Sequence, residues 1–297
     1  MKKISILAIA IVVSISLLIR GRIMTLTQNR APSMFIPHGG GPMPLMNDRM
    51  HDGMIKFLTG EARKYLKNNG ELPKAIILVT AHWEESEPHI SSAPKHELYY
   101  DYYGFPPETY KVKYPAPGEP SVAEKAAELL KKAGFSPKLD SKRGWDHGTF
   151  VPLKILLPEA SVPIVQLSCL SSQDASMHLK MGNALEPLRD EGVAIIGSGM
   201  SFHNMSMLRR LMQGGSGFSN DKFEKALDEA CEAEPQDRNL KLSNWESMPL
   251  SRECQPRGAS EHLMPLFVAA GAGGNVRGKR VLDWSMGAVK LGSYLWK

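Results

Sequence analysis

Unbroken apolar runs, rather than alternating ones, mark the predicted strands of this chain. Residues 75–79 read Ala-Ile-Ile-Leu-Val, and residues 193–196 read Val-Ala-Ile-Ile. A strand that is apolar at every position is covered on both faces, as in a parallel sheet. The apolar run at 34–36 and the segment 162–168, which includes Gln166 and Ser168, predict two further strands, and 281–295 predicts strand-like closing segments.

Segments with helical spacing alternate with these strands, over residues 52–69, 121–133, 177–188, 221–246 and 260–270. Ser121 is predicted as an N-cap with Glu124 as its capping-box partner, and Gly134 as the stop. This order predicts an α/β fold with a central, mostly parallel sheet flanked by helices. Residues 31–297 are predicted to form a single domain with its active site at the carboxyl ends of the strands.

Composition narrows the possible functions. The 297 residues carry a net charge of +5, and Lys and Arg are scattered without a basic stripe, which argues against nucleic-acid binding. The three cysteines form no CxxC pair, so neither a disulfide framework nor a thiolate zinc site is indicated. Free cysteines suit a reducing compartment, and the catalytic domain is predicted to be cytoplasmic.

The first thirty residues form an apolar leader that we exclude from the fold. Lys2 and Lys3 precede an apolar stretch at 4–19, and Arg20 and Arg22 follow it. This pattern resembles a signal peptide or signal anchor, which would give a membrane-anchored or secretory route. The alternative is an N-terminal extension, with translation beginning at Met24. Any membrane association would take place through this leader only, and its role is left open between these alternatives.

Histidines stand where the predicted strands end. His38, His82 and His203 each follow a strand, and His262 lies in the first turn of a helix. Because parallel strands end at one rim, these imidazoles can meet in space and bind Zn(II) or non-haem Fe(II). Glu261 offers a carboxylate ligand. The spacing alone leaves separate structural roles for these histidines open.

His147 lies in Trp-Asp-His-Gly, a loop-like segment, and is a candidate general acid or base. The alternative is a structural histidine held by Asp146 or by a backbone carbonyl. The remaining histidines at 51, 89, 96 and 178 are predicted to be exposed. Residues 99–117, rich in Tyr and Pro, predict a long loop that either lines a binding site or covers the core, with Asp101 and Glu108 in solvent.

Five motifs together resemble the class III, LigB-type extradiol ring-cleavage dioxygenases, and more narrowly their DOPA 4,5-extradiol dioxygenase branch. They are His38-Gly-Gly-Gly-Pro, Thr80-Ala-His-Trp-Glu, Trp145-Asp-His-Gly-Thr-Phe-Val-Pro-Leu, Gly197-Ser-Gly-Met-Ser-Phe-His-Asn and Glu261-His-Leu-Met-Pro-Leu. The tyrosine-rich segment with its Gly-Phe-Pro also resembles that branch.

The resemblance implies that His38, His82, His203 and His262 bind the metal, with His147 as the acid/base. In some relatives a carboxylate replaces one imidazole, which would make Glu261 a ligand and His203 the base. The implied reaction opens a DOPA-like catechol with O₂ to a muconic semialdehyde, and the partners are that small molecule and O₂. Rival interpretations are a zinc-dependent hydrolase and a non-catalytic metal-binding protein. No oligomeric state is predicted.

Overall fold

The computed structural model describes residues 30–215 and 217–297. The leader predicted at 1–30 lies outside the described residues, apart from Arg30. Within the described ranges, no helix is long and apolar enough to cross a membrane.

The described strands form one eight-stranded sheet in the order β4-β3-β5-β2-β6-β1-β8-β7. The strands are β1 Ser33–Pro37, β2 Ala75–Glu85, β3 His89–Ser91, β4 Lys138–Asp140, β5 Ile164–Leu170, β6 Val193–Gly199, β7 Lys279–Met286 and β8 Val289–Trp296. The central strands β5, β2, β6 and β1 are parallel to their neighbours in this group. Antiparallel pairs join β3 to β5, β8 to β1, and β7 to β8. The predicted mostly parallel α/β sheet is therefore confirmed.

Helices cover both faces of the sheet. The α-helices are Asp52–Phe57, Arg63–Leu66, Pro120–Lys132, His147–Leu156, Ala175–Leu185, Met205–Met212, Asp221–Cys231, Pro235–Ser243, Ser251–Cys254 and Met264–Ala272. A π-helical turn, Leu58–Ala62, joins the first two. Short 3₁₀ turns are Met43–Leu45, Arg49–His51, Pro107–Lys111, Glu186–Glu191, Trp245–Ser247 and Glu261–Leu263.

The apolar runs form the buried centre of the sheet. Every residue of β5 and β6 is buried, as are residues 75–81 of β2. Burial on both faces explains why these strands show no polar alternation. The prediction for these strands is thus confirmed, with β2 extending to Glu85, beyond the apolar run.

Local signals at helix ends were less accurate. Ser121 is not an N-cap, because the helix begins at Pro120, and the Ser121 hydroxyl donates to the Glu119 carboxylate. Gly134 does end that helix, with a φ of +89°. The predicted helical stretch 221–246 is two helices, the second beginning at Pro235, which lacks the N–H that a continuous helix needs.

Candidate metal centre

The carboxyl end of the central strands brings two of the predicted histidines together. His38 is the first residue after β1, and His82 lies near the end of β2. The pairing of β2 with β5 shifts register between Thr80 and Glu84, so the strand bulges around His82. Bulges commonly redirect a side chain at the edge of a site. The Nε2 atoms of His38 and His82 lie 3.2 Å apart.

Strand β6 positions the next two elements through its Gly197-Ser198-Gly199 sequence. A Cβ on Gly199 would lie 2.1 Å from the carbonyl oxygen of His262, and one on Gly197 would lie 2.2 Å from that of Pro265. Glycine is therefore required for the His262 segment to approach this face of the sheet. On the opposite face, the Ser198 hydroxyl donates to the carbonyl of Gly148, at the start of the helix His147–Leu156.

His262 completes a triangle of imidazoles. Its Nε2 atom lies 3.2 Å from that of His82, and the ring centroids of His38, His82 and His262 are 4.8–5.0 Å apart. His38 and His262 are buried, and His82 is partly buried. Three histidines that are far apart in sequence thus meet at the rim of the sheet, as the strand-end pattern predicts.

The hydrogen bonds of these rings leave Nε2 lone pairs of His38 and His262 facing the Nε2 atom of His82. His38 Nδ1 lies 3.1 Å from the Ser198 hydroxyl, whose hydrogen is already donated to Gly148, so His38 Nδ1 is the donor. His262 Nδ1 lies 2.8 Å from the Glu261 carboxylate, which can only accept. Both rings therefore carry their hydrogen on Nδ1. His82 Nε2 can carry at most one hydrogen, so it can donate to only one of its two neighbours, His38 Nε2 and His262 Nε2. In at least one of these two 3.2 Å contacts, two nitrogen lone pairs therefore face each other with no hydrogen between them.

This arrangement fits a metal ion. With metal–nitrogen bonds of about 2.0–2.1 Å, two ligands of a tetrahedral site lie about 3.3–3.4 Å apart, close to the spacings observed here. Burial lowers the pKa of His82 to about 3, and it also lowers the pKa values of His38 and His262 well below their usual range. The rings are therefore neutral near pH 7, which is the protonation state that binds metal.

His147 lies beside this triangle with a carboxylate behind it. Its ring centroid is 3.9 Å from that of His82 and 5.5 Å from that of His38. It is the first residue of a helix, not a loop residue, and Asp146 is the N-cap of that helix. Its partner is Asp101, whose Oδ1 and Oδ2 each lie 2.9 Å from His147 Nδ1.

His203 lies on the other side of the triangle. Its ring stacks on His262 with centroids 3.3 Å apart and an interplanar angle of 18°. Its Nδ1 atom lies 3.3 Å from Glu261 Oε1. Imidazole lone pairs lie in the ring plane, so the lone pairs of these two stacked, nearly parallel rings do not point toward a common position. Donor atoms of His203, Glu261 and His262 nevertheless all lie within 4.8 Å of one another.

The tyrosine-rich loop lines the site. The Tyr102 ring lies 5.9 Å from His147, and burial raises the pKa of its hydroxyl to about 12, so it stays protonated. Phe105 packs against the turn after His38, where a Cβ on Gly41 would lie 3.2 Å from its ring. Arg143 lies over the rings of Trp83 and Tyr99 and donates to the carbonyl of His82. An aromatic wall thus borders the imidazole cluster.

Several polar residues predicted to be exposed are buried instead. His51, His96 and His178 are at most 7% exposed, and each accepts a hydrogen bond from a backbone N–H, of Gly40, Ala93 and Leu170 respectively. Asp101 was predicted to be in solvent, but its side chain is 9% exposed and bound to His147. These predictions were wrong because local polarity does not reveal that a side chain will bond a backbone N–H or another side chain inside the fold.

Comparisons with known proteins agree with this geometry. The model of the catalytic LigB subunit of aromatic ring-opening dioxygenase matches residues 32–291. Dioxygenase tasH from Hapsidospora irregularis is 43% identical over 256 residues, 82% of this chain and 78% of that protein. A 4,5-DOPA dioxygenase extradiol from Beta vulgaris is 36% identical over 272 residues, 90% and 96% of the two chains. A crystal structure of an uncharacterized protein from Escherichia coli K12 gives a TM-score of 0.69 at 28% identity, covering 90% and 100%.

The matched range begins before His38 and ends after His262, so it includes every residue of the cluster. Three observations point to the same family: the α/β sheet, the histidines at its rim and the match to the family model. The chain belongs to the LigB family and is a ring-cleaving dioxygenase, an oxidoreductase that acts on a small aromatic molecule and O₂.

Proposed function

We propose that the protein is a metal-dependent extradiol dioxygenase that opens a DOPA-like catechol. The carbon–carbon bond beside the two hydroxyl-bearing carbons breaks, and both atoms of O₂ enter the product, a muconic semialdehyde. The observation that carries the proposal is the convergence of three Nε2 atoms between two further histidines, each next to a carboxylate. The family match favours this reaction over hydrolysis by a zinc enzyme.

His38, His82 and His262 are the proposed metal ligands. When bound, Fe(II) would supply the Lewis acidity that makes catechol hydroxyls acidic and the redox chemistry with O₂. Zn(II) would fit the same nitrogen donors but has no redox chemistry of its own. We therefore expect both ions to bind and Fe(II) alone to support turnover.

His147 is the proposed acid/base. Its Nδ1 faces Asp101, so Nε2 is free to take a proton from a catechol hydroxyl and later return it. Tyr102 and Phe105 would border the ring of the substrate and exclude water from it. Since the DOPA relatives share this family, a catechol with an amino-acid side chain is the substrate to test first.

His203 is the fourth candidate ligand, with Glu261 as the alternative. Its stacking on His262 favours a role in proton transfer over ligation in this side-chain conformation. Replacement of His203 by alanine separates the two roles. Loss of one metal equivalent would identify a ligand, whereas full metal content with reduced kcat would identify an acid/base.

The test of function is an aerobic assay of protein loaded with Fe(II) or Zn(II) and supplied with DOPA and simpler catechols. We expect O₂ uptake, a yellow product and incorporation of two ¹⁸O atoms from labelled O₂. His82→Ala should lose metal and activity, and His147→Ala should keep metal and lose about 10²–10⁴-fold in rate. His89→Ala, outside the cluster, is the control. Absence of O₂ consumption with every catechol would refute the proposal and leave a non-catalytic metal-binding role.

A further inference from the structure

Asp101 is a buried carboxylate that the tyrosine-rich loop carries into the site. Its Oδ1 atom accepts two hydrogen bonds from the same residue, one from the backbone N–H of His147 and one from Nδ1, both at 2.9 Å. Its Oδ2 atom lies 2.9 Å from His147 Nδ1 and 3.5 Å from His82 Nδ1. A carboxylate with no hydrogen of its own therefore faces the Nδ1 atoms of two imidazoles.

Backbone hydrogen bonds fix the loop in this place. The N–H of Tyr99 donates to the carbonyl of Trp145 at 2.7 Å, and the N–H of Trp145 donates to the carbonyl of Glu97 at 2.9 Å. The loop is thus paired with the residue two positions before His147. The contact between Asp101 and His147 follows from this pairing and does not depend on a long, freely rotating side chain.

The neighbouring acid, Asp146, does not share this role. Its Oδ1 atom accepts from the Thr80 hydroxyl at 2.7 Å and from the backbone N–H of Thr149 at 3.2 Å. Asp146 therefore caps the helix and ties it to β2. Within the described residues, Asp101 is the only hydrogen-bond partner of the His147 ring.

We propose that Asp101 is a positioning residue that holds His147 in the Nδ1–H tautomer. Nε2 is then the nitrogen that faces the substrate and acts as the base. The imidazole ring cannot flip without breaking its hydrogen bonds to the Asp101 carboxylate. The role in turnover rests on the proposed function, whereas the tautomer itself does not. Orientation of a catalytic imidazole by a carboxylate is a general requirement of such pairs, because the other tautomer offers a hydrogen where a lone pair is needed.

The first test reads the tautomer directly. Long-range ¹H–¹⁵N correlation spectra of the zinc-loaded protein report which ring nitrogen carries the hydrogen, and His147→Ala assigns the signals. We expect the Nδ1–H form in the wild type and a mixture of tautomers in Asp101→Asn, since the amide nitrogen cannot accept from Nδ1. Glu108→Gln is the matched control, because it neutralises an exposed carboxylate in the same loop. A wild-type Nε2–H form would overturn the proposal.

The second test is kinetic. Asp101→Asn should lower kcat about 10²-fold with KM within about threefold, at unchanged metal content and unchanged circular dichroism. Adding Asp101→Asn to His147→Ala should cause no further loss, because the carboxylate acts through a ring that is no longer present. The positioning role would be refuted if the loss of kcat in the double variant were the product of the two single losses. It would also be refuted if Asp101→Asn had the same kcat as Glu108→Gln.

Failure of this inference and failure of the proposed function give different results. If no catechol is opened by the Fe(II)-loaded wild type, the proposed reaction fails, but the spectra still determine the His147 tautomer. If the wild type is active and Asp101→Asn does not fold, the wild-type spectrum alone decides. The Nδ1–H form would support the assignment, and the Nε2–H form would overturn it.

Discussion

Ser198→Ala is the substitution that best tests how the cluster is held for metal binding. Ser198 is fully buried in β6, where its hydroxyl accepts from His38 Nδ1 and donates to the carbonyl of Gly148. The hydroxyl is thus the group that keeps the hydrogen of His38 on Nδ1 and the lone pair on Nε2. Alanine removes this hydroxyl without adding bulk.

The expected magnitude follows from the two hydrogen bonds that are lost. An unsatisfied buried donor or acceptor costs about 1–3 kcal/mol, so the loss of both partners should lower the free energy of unfolding of the apo-protein by roughly 2–6 kcal/mol. Metal binding demands the Nδ1–H tautomer of His38, which then has no acceptor. Loss of such a supporting contact lowers metal affinity about 10–100-fold, equivalent to about 1.4–2.7 kcal/mol.

The assay measures both quantities on the same protein. Zinc affinity is obtained by competition with a chromophoric chelator, and stability by urea unfolding of the apo-protein. Ser33→Ala is the matched control, since Ser33 is equally buried in β1 and its hydroxyl donates to the carbonyl of Ala269, away from the cluster. It should lose stability and keep full zinc affinity.

Two results would refute the reasoning. If Ser198→Ala bound zinc as tightly as the wild type, the hydroxyl would not set the His38 tautomer. If Ser33→Ala lost affinity to the same extent, the effect would be one of general stability rather than of ligand orientation. A Ser198→Thr variant, which keeps the hydroxyl, should restore most of the affinity if its methyl group is accommodated.

Three further predictions concern stability. Gly148→Ala should destabilise the protein by about 1–3 kcal/mol in urea unfolding and lower its metal content, because the new Cβ would lie 2.7 Å from Thr80 Oγ1 and 2.9 Å from His82 Cδ2. Gly60→Ala is the control, since the space around Gly60 is open, and it should change neither the stability nor the metal content in this way. Protein kept at a free metal concentration of 100 times Kd should lose about 2.7 kcal/mol of its free energy of unfolding when the metal is removed by a chelator. Calorimetry should show this as a fall in Tm of about 5–10 °C, and His82→Ala should abolish the difference. Burial raises the pKa of Glu224 from its usual 4.5 to about 7, although the Arg280 guanidinium 3.0 Å away favours the charged form, so stability should fall as the pH rises from about 4.5 to 7. Glu224→Gln should flatten this slope in urea unfolding, and an unchanged slope would contradict the reasoning.

The sheet and the meeting of strand-end histidines at its rim could be predicted from the sequence because both follow from simple rules. Apolar runs identify strands that are buried on both faces, and the carboxyl ends of parallel strands share a rim. His38 and His82 follow strands β1 and β2, which lie on either side of β6, and the two residues therefore lie close together at that rim. The position of His262 depends on Gly197 and Gly199, which allow its segment to approach β6.

The partners of these histidines could not be predicted in the same way. Asp101 lies in a loop without periodicity, and its contact with His147 arises from backbone pairing at Tyr99 and Trp145. Ser198 gave a weak signal, as a lone hydroxyl in an otherwise apolar buried strand. Buried histidines such as His178 satisfy backbone groups, and composition does not distinguish them from exposed ones.

The two carboxylates explain why a divalent ion suits the cluster. Asp101 lies near the Nδ1 atoms of His147 and His82, and Glu261 near those of His203 and His262, so each serves one proposed ligand and one flanking ring. Burial raises the pKa values of both carboxyls, but their contacts with histidine outweigh burial and leave those pKa values lowered. Carboxylates taken partly out of water are stabilised by nearby positive charge, and a divalent cation in the cluster would balance the formal charge of these two.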